Sequence, residues 1–189
     1  MNLFILDQNP ITAAQLQCDK HVPKMIVESA QMLSTAHRIL DGELGRRRSK
    51  SGKTMVRYWE HPSSNWENIL YKAVHTGHPC TVWTMESSDN YFWHYNHFVA
   101  LCDEYTYRYD KLHKSDRELR EILSHLPDNI PRGNQTAFKL AMKSNPECMF
   151  EDAVKSYRAF YQTKQHRFNM IWTKRSVPEW FQYADLHAA

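Results

Sequence analysis

The chain has 189 residues, 42% of them hydrophobic and 24% charged, with a formal net charge of +3. These values fit a globular protein long enough to bury a real core and exclude a disordered or collagen-like chain. Only five glycines argue against a turn-rich β protein, and no run approaches the ~20 apolar residues of a membrane span. Four scattered cysteines without a CxxC pair exclude a zinc knuckle or dithiol motif and read as free thiols of a reducing cytoplasm.

The opening residues Met1 to Asp7 hold the short apolar run Phe4-Ile5-Leu6 and lack the basic start of a signal peptide. Asn9-Pro10 reads as an N-cap followed by a first-turn proline, starting a short helix to about Cys18. Asp19 is placed to cap a second helix, in which Pro23 falls in the first turn. Val22, Ile26, Ala30, Leu33 and Ile39-Leu40 carry its apolar stripe until Asp41-Gly42 ends it. Gly45 to Lys53 reads as a polar, basic, mobile loop. Ser63-Ser64 is expected to cap a helix through Val74, and His78 to cap one opened by Pro79. Ser87 or Ser88 should cap a long helix from about Asp89 to Leu112. Ser115-Asp116-Arg117-Glu118 has the form of a capping box for a helix to Leu126. Pro127 to Pro146 is irregular, with a helical segment expected at Thr136–Met142. A last helix is expected over Glu151–Arg167, and then a tail held by Trp172, Trp180 and Phe181. The fold expected is a single all-α domain over 1–189, a bundle with long central helices and an irregular aromatic tail.

The most informative stretch is Asp19 to Glu28. On a helix, residues three and four apart are neighbours, so Lys20, Lys24 and Glu28 form one stripe with His21 beside it. Such a cluster perturbs its own protonation, as acid–base or amine chemistry requires; a solvated face with an i,i+4 ion pair has the same spacing. Two basic clusters stand out. Arg46, Arg47, Arg48, Lys50, Lys53 and Arg57 face a single acid, Glu43. Lys155, Arg158, Lys164, Arg167, Lys174 and Arg175 run without an intervening acid. Local clusters of this kind suit a phosphate backbone, although solvating charge looks the same in sequence. His94 and His97, or His75 and His78, have the spacing of metal ligands. No Glu-x-x-His or His-Glu-x-x-His motif accompanies them, so no metal or other cofactor is expected.

Asp19-x-His21-x6-Glu28 followed by an apolar helix resembles the first-helix signature of the pyrimidine-dimer DNA glycosylase superfamily, the endonuclease V-like enzymes. Asn9-Pro10, Lys24-x3-Glu28, His78-Pro79, Val82-Trp83 and Leu101-Cys102-x-Glu104 with Arg108 resemble further motifs of its bacterial members. The chain also resembles uncharacterised proteins of large DNA phages. The resemblance covers about residues 1–112, leaving 113–189 as a helical, basic extension.

The resemblance implies a DNA N-glycosylase that flips a damaged or modified base from double-stranded DNA. An amine attacks C1′ to form a Schiff base, and AP-lyase cleavage can follow. Glu28 falls at the catalytic glutamate and His21 at a supporting histidine, with Asp19 shaping the site. Family members use an α-amine exposed by removal of the initiator Met. Asn2 is too large for efficient removal, so the amine expected here is that of Met1, with Lys24 next. A free α-amine titrates at roughly 7.7–8.0 against ~10.4 for lysine, which favours Met1 as nucleophile. Lys20, Arg46, Arg47, Arg48, Lys53, Arg57 and Arg108 are the expected nucleic-acid contacts. The expected protein is a monomer in the cytoplasm, that of the host if phage-encoded, with no membrane partner. A non-catalytic nucleic-acid-binding module on the same scaffold and a nucleotide- or RNA-modifying enzyme are the alternatives.

Overall fold

The computed structural model describes residues 1–184 and is mostly helical, with one small sheet. The helices are α1 (Pro10–Gln15), α2 (His21–Asp41), α3 (Ser64–Ile69), α4 (Pro79–Glu86), α5 (Ser88–Tyr109), α6 (Lys114–Leu123) and α7 (Ala153–Gln162). Short 3-10 turns occupy Pro146–Cys148 and Thr163–His166. No helix among the described residues is long and apolar enough to cross a membrane.

The long helices α2 and α5 pack on each other, and α1, α4 and α6 pack around them. Caps explain several starts. The Asn9 side chain accepts the amides of Ile11 and Thr12, and the His78 ring accepts that of Cys80. Ser87 Oγ accepts the amide of Asn90. Proline stands at the first position of both α1 and α4, where a missing N–H costs nothing.

Five expectations need correcting. Residues 43–60 form an antiparallel hairpin, β1 (Glu43–Arg48) and β2 (Met55–Glu60), so the fold is not purely helical and Gly45 to Lys53 is not simply a loop. Asp19 caps nothing: Lys20 precedes α2 without a side-chain cap, because the Asp19 carboxylate is bound elsewhere. The helix after Ser63 stops at Ile69 rather than reaching Val74. His113, not Ser115, caps α6, since Ser115 Oγ is bonded to the Tyr71 hydroxyl. Residues 136–142 are not helical; the Asn90 side chain holds both the amide and the hydroxyl of Thr136 in an extended path. The tail behaves as expected. Trp172 and Phe181 are buried, and the Trp172 indole donates to the Leu16 carbonyl.

Arg38 joins the hairpin to the body. It is 1% exposed, and its guanidinium donates to the carbonyls of Tyr71, Trp59, Glu67 and Leu70 and to the Glu67 carboxylate at 2.6 Å. All five N–H donors therefore find acceptors. Burial works against the Glu67 charge, but bonds from Tyr58, the His61 amide and Arg38 outweigh it and hold the carboxyl at about 2. Gly42 lets the chain turn out of α2, since a Cβ there would lie 2.4 Å from the Arg38 carbonyl oxygen.

Arg38→Met strands Glu67 and four carbonyls. It is expected to cost about 3–5 kcal/mol, the range for breaking a buried ion pair. Denaturant unfolding measures this; a loss under about 1 kcal/mol would mean that water replaces the guanidinium.

Candidate active site

A cavity of about 250 Å³ lies where the first residues, the start of α2 and the end of α7 meet. Met1, Asn2 and Phe4 form one wall, and His21, Lys24 and Glu28 of α2 form another. Phe160, Lys164, Arg167 and Phe168 form the third, with Ala141 beside them. Residues from both ends of the sequence, Met1 to Phe168, are needed to build it.

The N-terminal segment is inside the protein. Asn2, Leu3, Phe4, Ile5 and Leu6 are each 5% exposed or less. Its amides need partners, and side chains supply them. Asn2 Oδ1 accepts the amides of Leu3 and Phe4, its side-chain amide donates to the Ala141 carbonyl, and the Asn2 N–H donates to Glu28 Oε2 at 2.9 Å. The Met1 amine is 3.7 Å from the same oxygen, and Lys24 Nζ is 3.5 Å from Oε1. The Glu28 side chain is only 15% exposed, so these donors act where water is scarce.

His21 is buried and stacks on Phe4 at 4.8 Å. Its Nδ1 lies 2.7 Å from the Tyr161 hydroxyl, which also accepts the Cys18 amide. The phenolic proton is therefore directed at Nδ1, leaving Nε2 as the protonated ring nitrogen. Burial, followed by the nearby Lys24 and Lys164, pushes the imidazole down to about 3. His21 is thus neutral at physiological pH and serves to position its neighbours.

Lys164 is the residue that sequence reasoning passed over. It belongs to a basic run already noticed, but nothing local marks it as the lysine that turns inward. It is 8% exposed, with Nζ 3.3 Å from the centroid of the Phe160 ring. Burial and then Arg167 lower it, Cys148 partly opposes them and Lys24 adds to the lowering, which leaves it at about 8; no carboxylate among the described residues pairs with it. A half-enclosed amine on that footing is partly neutral near pH 7, whereas Lys24 has a side chain 61% exposed and paired with Glu28. Lys20 is outside, with Nζ 5.1 Å from the Phe168 ring.

Two expected site residues are structural. Asp19 accepts from Arg108, from the Thr173 amide and from the Thr173 hydroxyl, pinning the tail to α5. Arg108 is 3% exposed and bonded to Glu104, Asp19 and the Gln15 carbonyl, so it is closed to phosphate. Glu104 also binds Arg175. The larger cleft of about 540 Å³ between α1 and α5 contains this compensated pair rather than free reactive groups. His94 and His97 are buried core residues, bonded to Thr84 and Gln17 respectively.

The hairpin register sorts the remaining arginines. Arg46 pairs with Arg57 and Arg48 with Met55, so Arg46, Arg48 and Arg57 share one face with Leu44 and Trp59. All three arginines are exposed, and none has a carboxylate within ion-pair distance among the described residues. Arg47 is on the opposite face, committed to Glu60 at 2.9 Å and to the Tyr58 ring at 3.9 Å. Lys53 is exposed in the turn between the strands. A cleft of about 340 Å³ beside β2 adds Lys50 and Lys72 to Arg48, Arg57 and Trp59. From Glu28 to the hairpin is 13 residues of α2, about 20 Å at ~1.5 Å per residue.

No family model matches this chain, and neither does any curated protein or solved structure.

Lys164 gives the site a measurable signature. Its proton is held less tightly in the fold (about 8) than in the unfolded chain (10.5), so the unfolded state carries more protons in that window and stability rises with pH across it. Lys164→Met is expected to melt above the wild type at pH 7, with the difference shrinking as pH rises from 8 towards 10.5. Thermal melts over that range test this; a difference independent of pH would mean a solvated amine.

Proposed function

We propose that the protein is a DNA N-glycosylase of the imine-forming type, with Lys164 as the attacking amine and Glu28 as the carboxylate. The observation that carries this reading is the Lys164 amine, without a carboxylate partner among the described residues, sharing one small cavity with Glu28. The motif resemblance around Asp19, His21 and Glu28 points the same way.

In this reading a base is flipped from the duplex so that its sugar enters the cavity. The neutral Lys164 amine adds to C1′ as the bond to the base breaks, and the base leaves with the bonding pair and takes up a proton. Glu28 stabilises the cationic sugar, most strongly because water is largely excluded. The nitrogen lone pair then forms the C=N bond of an iminium as the C1′–O4′ bond breaks, and O4′ leaves with the bonding pair and takes up a proton from water. Glu28 can then remove a proton from C2′, and the electrons of that C–H bond expel the 3′ phosphate, which cleaves the strand. Met1 is the less favoured amine, because it lies 3.7 Å from the Glu28 carboxylate, whereas Lys164 is on the opposite wall of the cavity. Lys24 and Arg167 at the cavity wall suit the flanking phosphates, and the Arg46, Arg48 and Arg57 face suits the duplex farther along.

Borohydride trapping tests the chemistry. Incubation with duplex carrying an abasic site is expected to give a covalent adduct, mapped by peptide mass spectrometry to Lys164. Glu28→Gln should slow its formation about 100-fold or more while leaving DNA binding intact. Binding without any adduct would instead favour a module that recognises DNA and has no chemistry. The hairpin is tested separately. Arg46→Ser with Arg57→Ser should reduce the slope of log affinity against log salt by about 2, at ~0.9 per phosphate contact. An unchanged slope would remove the hairpin from the interface.

A further inference from the structure

Two buried imidazoles and a buried carboxylate converge where α2 gives way to the hairpin. His37 and Asp41 are one turn apart at the end of α2, and His61 follows β2. One ligand atom from each lies within 4.8 Å of the other two.

The hydrogen bonds around these groups leave a gap in both charge and bonding. His37 Nε2 is 2.8 Å from the Tyr91 hydroxyl, and that hydroxyl donates its proton to the Leu123 carbonyl at 3.0 Å. The ring proton of His37 is therefore on Nε2, and Nδ1 is a bare lone pair. That nitrogen is fully buried, has no hydrogen-bond partner, and faces Asp41 Oδ2 at 3.9 Å. His61 is 6% exposed, and its Nε2 is also buried without a partner. The Asp41 side chain is 5% exposed and is oriented by the amides of Asp128 and Asn129 and by the Asn129 side chain. No lysine or arginine pairs with it among the described residues. A lone pair and a carboxylate oxygen 3.9 Å apart repel unless a donor or a cation lies between them. Three N–H groups solvate Asp41 but none carries a charge, so a cation between the three groups would add the counter-charge that a water molecule does not.

We propose that His37, Asp41 and His61 bind one divalent transition-metal ion of the zinc type. Two imidazole nitrogens and one carboxylate oxygen form a donor set suited to such ions rather than to calcium or magnesium, which take mainly oxygen. The outer bonds that such a site needs are already present: His37 donates to the Tyr91 hydroxyl, and the 128–129 backbone donates to Asp41. Metal bonds of ~2.0–2.1 Å in a tetrahedron put ligand atoms roughly 3.3 Å apart, so the three groups close by about 1 Å. His61 then moves its ring proton to Nδ1 and gives up the 3.2 Å bond from the Ser63 amide. Water takes the fourth position. Asp41 and His61 flank the hairpin, so the ion would clasp both of its feet to α2. This site is independent of the cavity around Glu28.

Metal-stripped protein titrated with Co²⁺ is expected to develop the intense visible band of a tetrahedral ion with one equivalent bound. Zn²⁺ should then bleach that band and raise the melting temperature. His61→Asn should abolish both effects, and Asp41→Asn provides the same test if the first variant does not fold. Absence of the band in the wild type, or an equal band in both variants, overturns the proposal. The measurement needs no DNA substrate, so it stands apart from any result on glycosylase activity.

Discussion

The arrangement of this protein depends on one constraint: an N-terminal segment that is buried without being part of a sheet. Leu3 to Leu6 are inside the core, yet no strand lies alongside to take their backbone groups. Side chains do it instead. Asn2 folds back on the next two amides, Gln17 donates to the Leu3 carbonyl, Arg158 to the Leu6 carbonyl, and Glu28 accepts the Asn2 N–H. Phe4 has a φ of +50°, an uncommon conformation for a residue with a bulky side chain, and it is packed between His21 and Phe160. Fixing this segment fixes the relation of α2 to α7, and the cavity is the space left between them.

That constraint gives Glu28 two tasks that separate cleanly. As an acceptor it holds the chain start; as an anion it sets the field of the cavity. Gln at this position keeps an acceptor for the Asn2 N–H and removes the charge. The opposite wall has the complementary design. Lys164 lies against the Phe160 ring and has no counter-ion among the described residues. A carboxylate and an amine on two separate walls differ physically from the ion pair that their mutual contact would make, because the amine then loses its proton more readily.

Much of the helical frame was legible in the sequence, because Asn9-Pro10, His78-Pro79 and Ser87 are local signals for local structure. The hairpin was not. β1 is exposed along its whole length and shows no apolar alternation, so its strand character comes from pairing with β2 and from Arg38 beneath it. The His113 cap was hidden for a related reason: Ser115 fits the capping pattern equally well, and only contact with Tyr71 decides between them. At the site, Glu28, Lys24 and His21 were visible as one helical stripe. Lys164 was not, since its meeting with the N-terminal segment and α2 across the cavity is a tertiary event. Asp19 and Arg108 looked functional because charges that neutralise each other 89 residues apart are indistinguishable in sequence from charges waiting for a ligand. His37 and Asp41 have helical i,i+4 spacing, and their third partner, His61, is supplied only by the return of the hairpin.

The central claim is that the cavity between Glu28 and Lys164 breaks the bond between a sugar and its base. Mass spectrometry of free bases released from a panel of modified duplexes tests it most directly. The account expects at least one modified base to be released by the wild type and retained with Glu28→Gln. Release that is equal in the two proteins, or absent across the whole panel while the duplexes are bound, would contradict it.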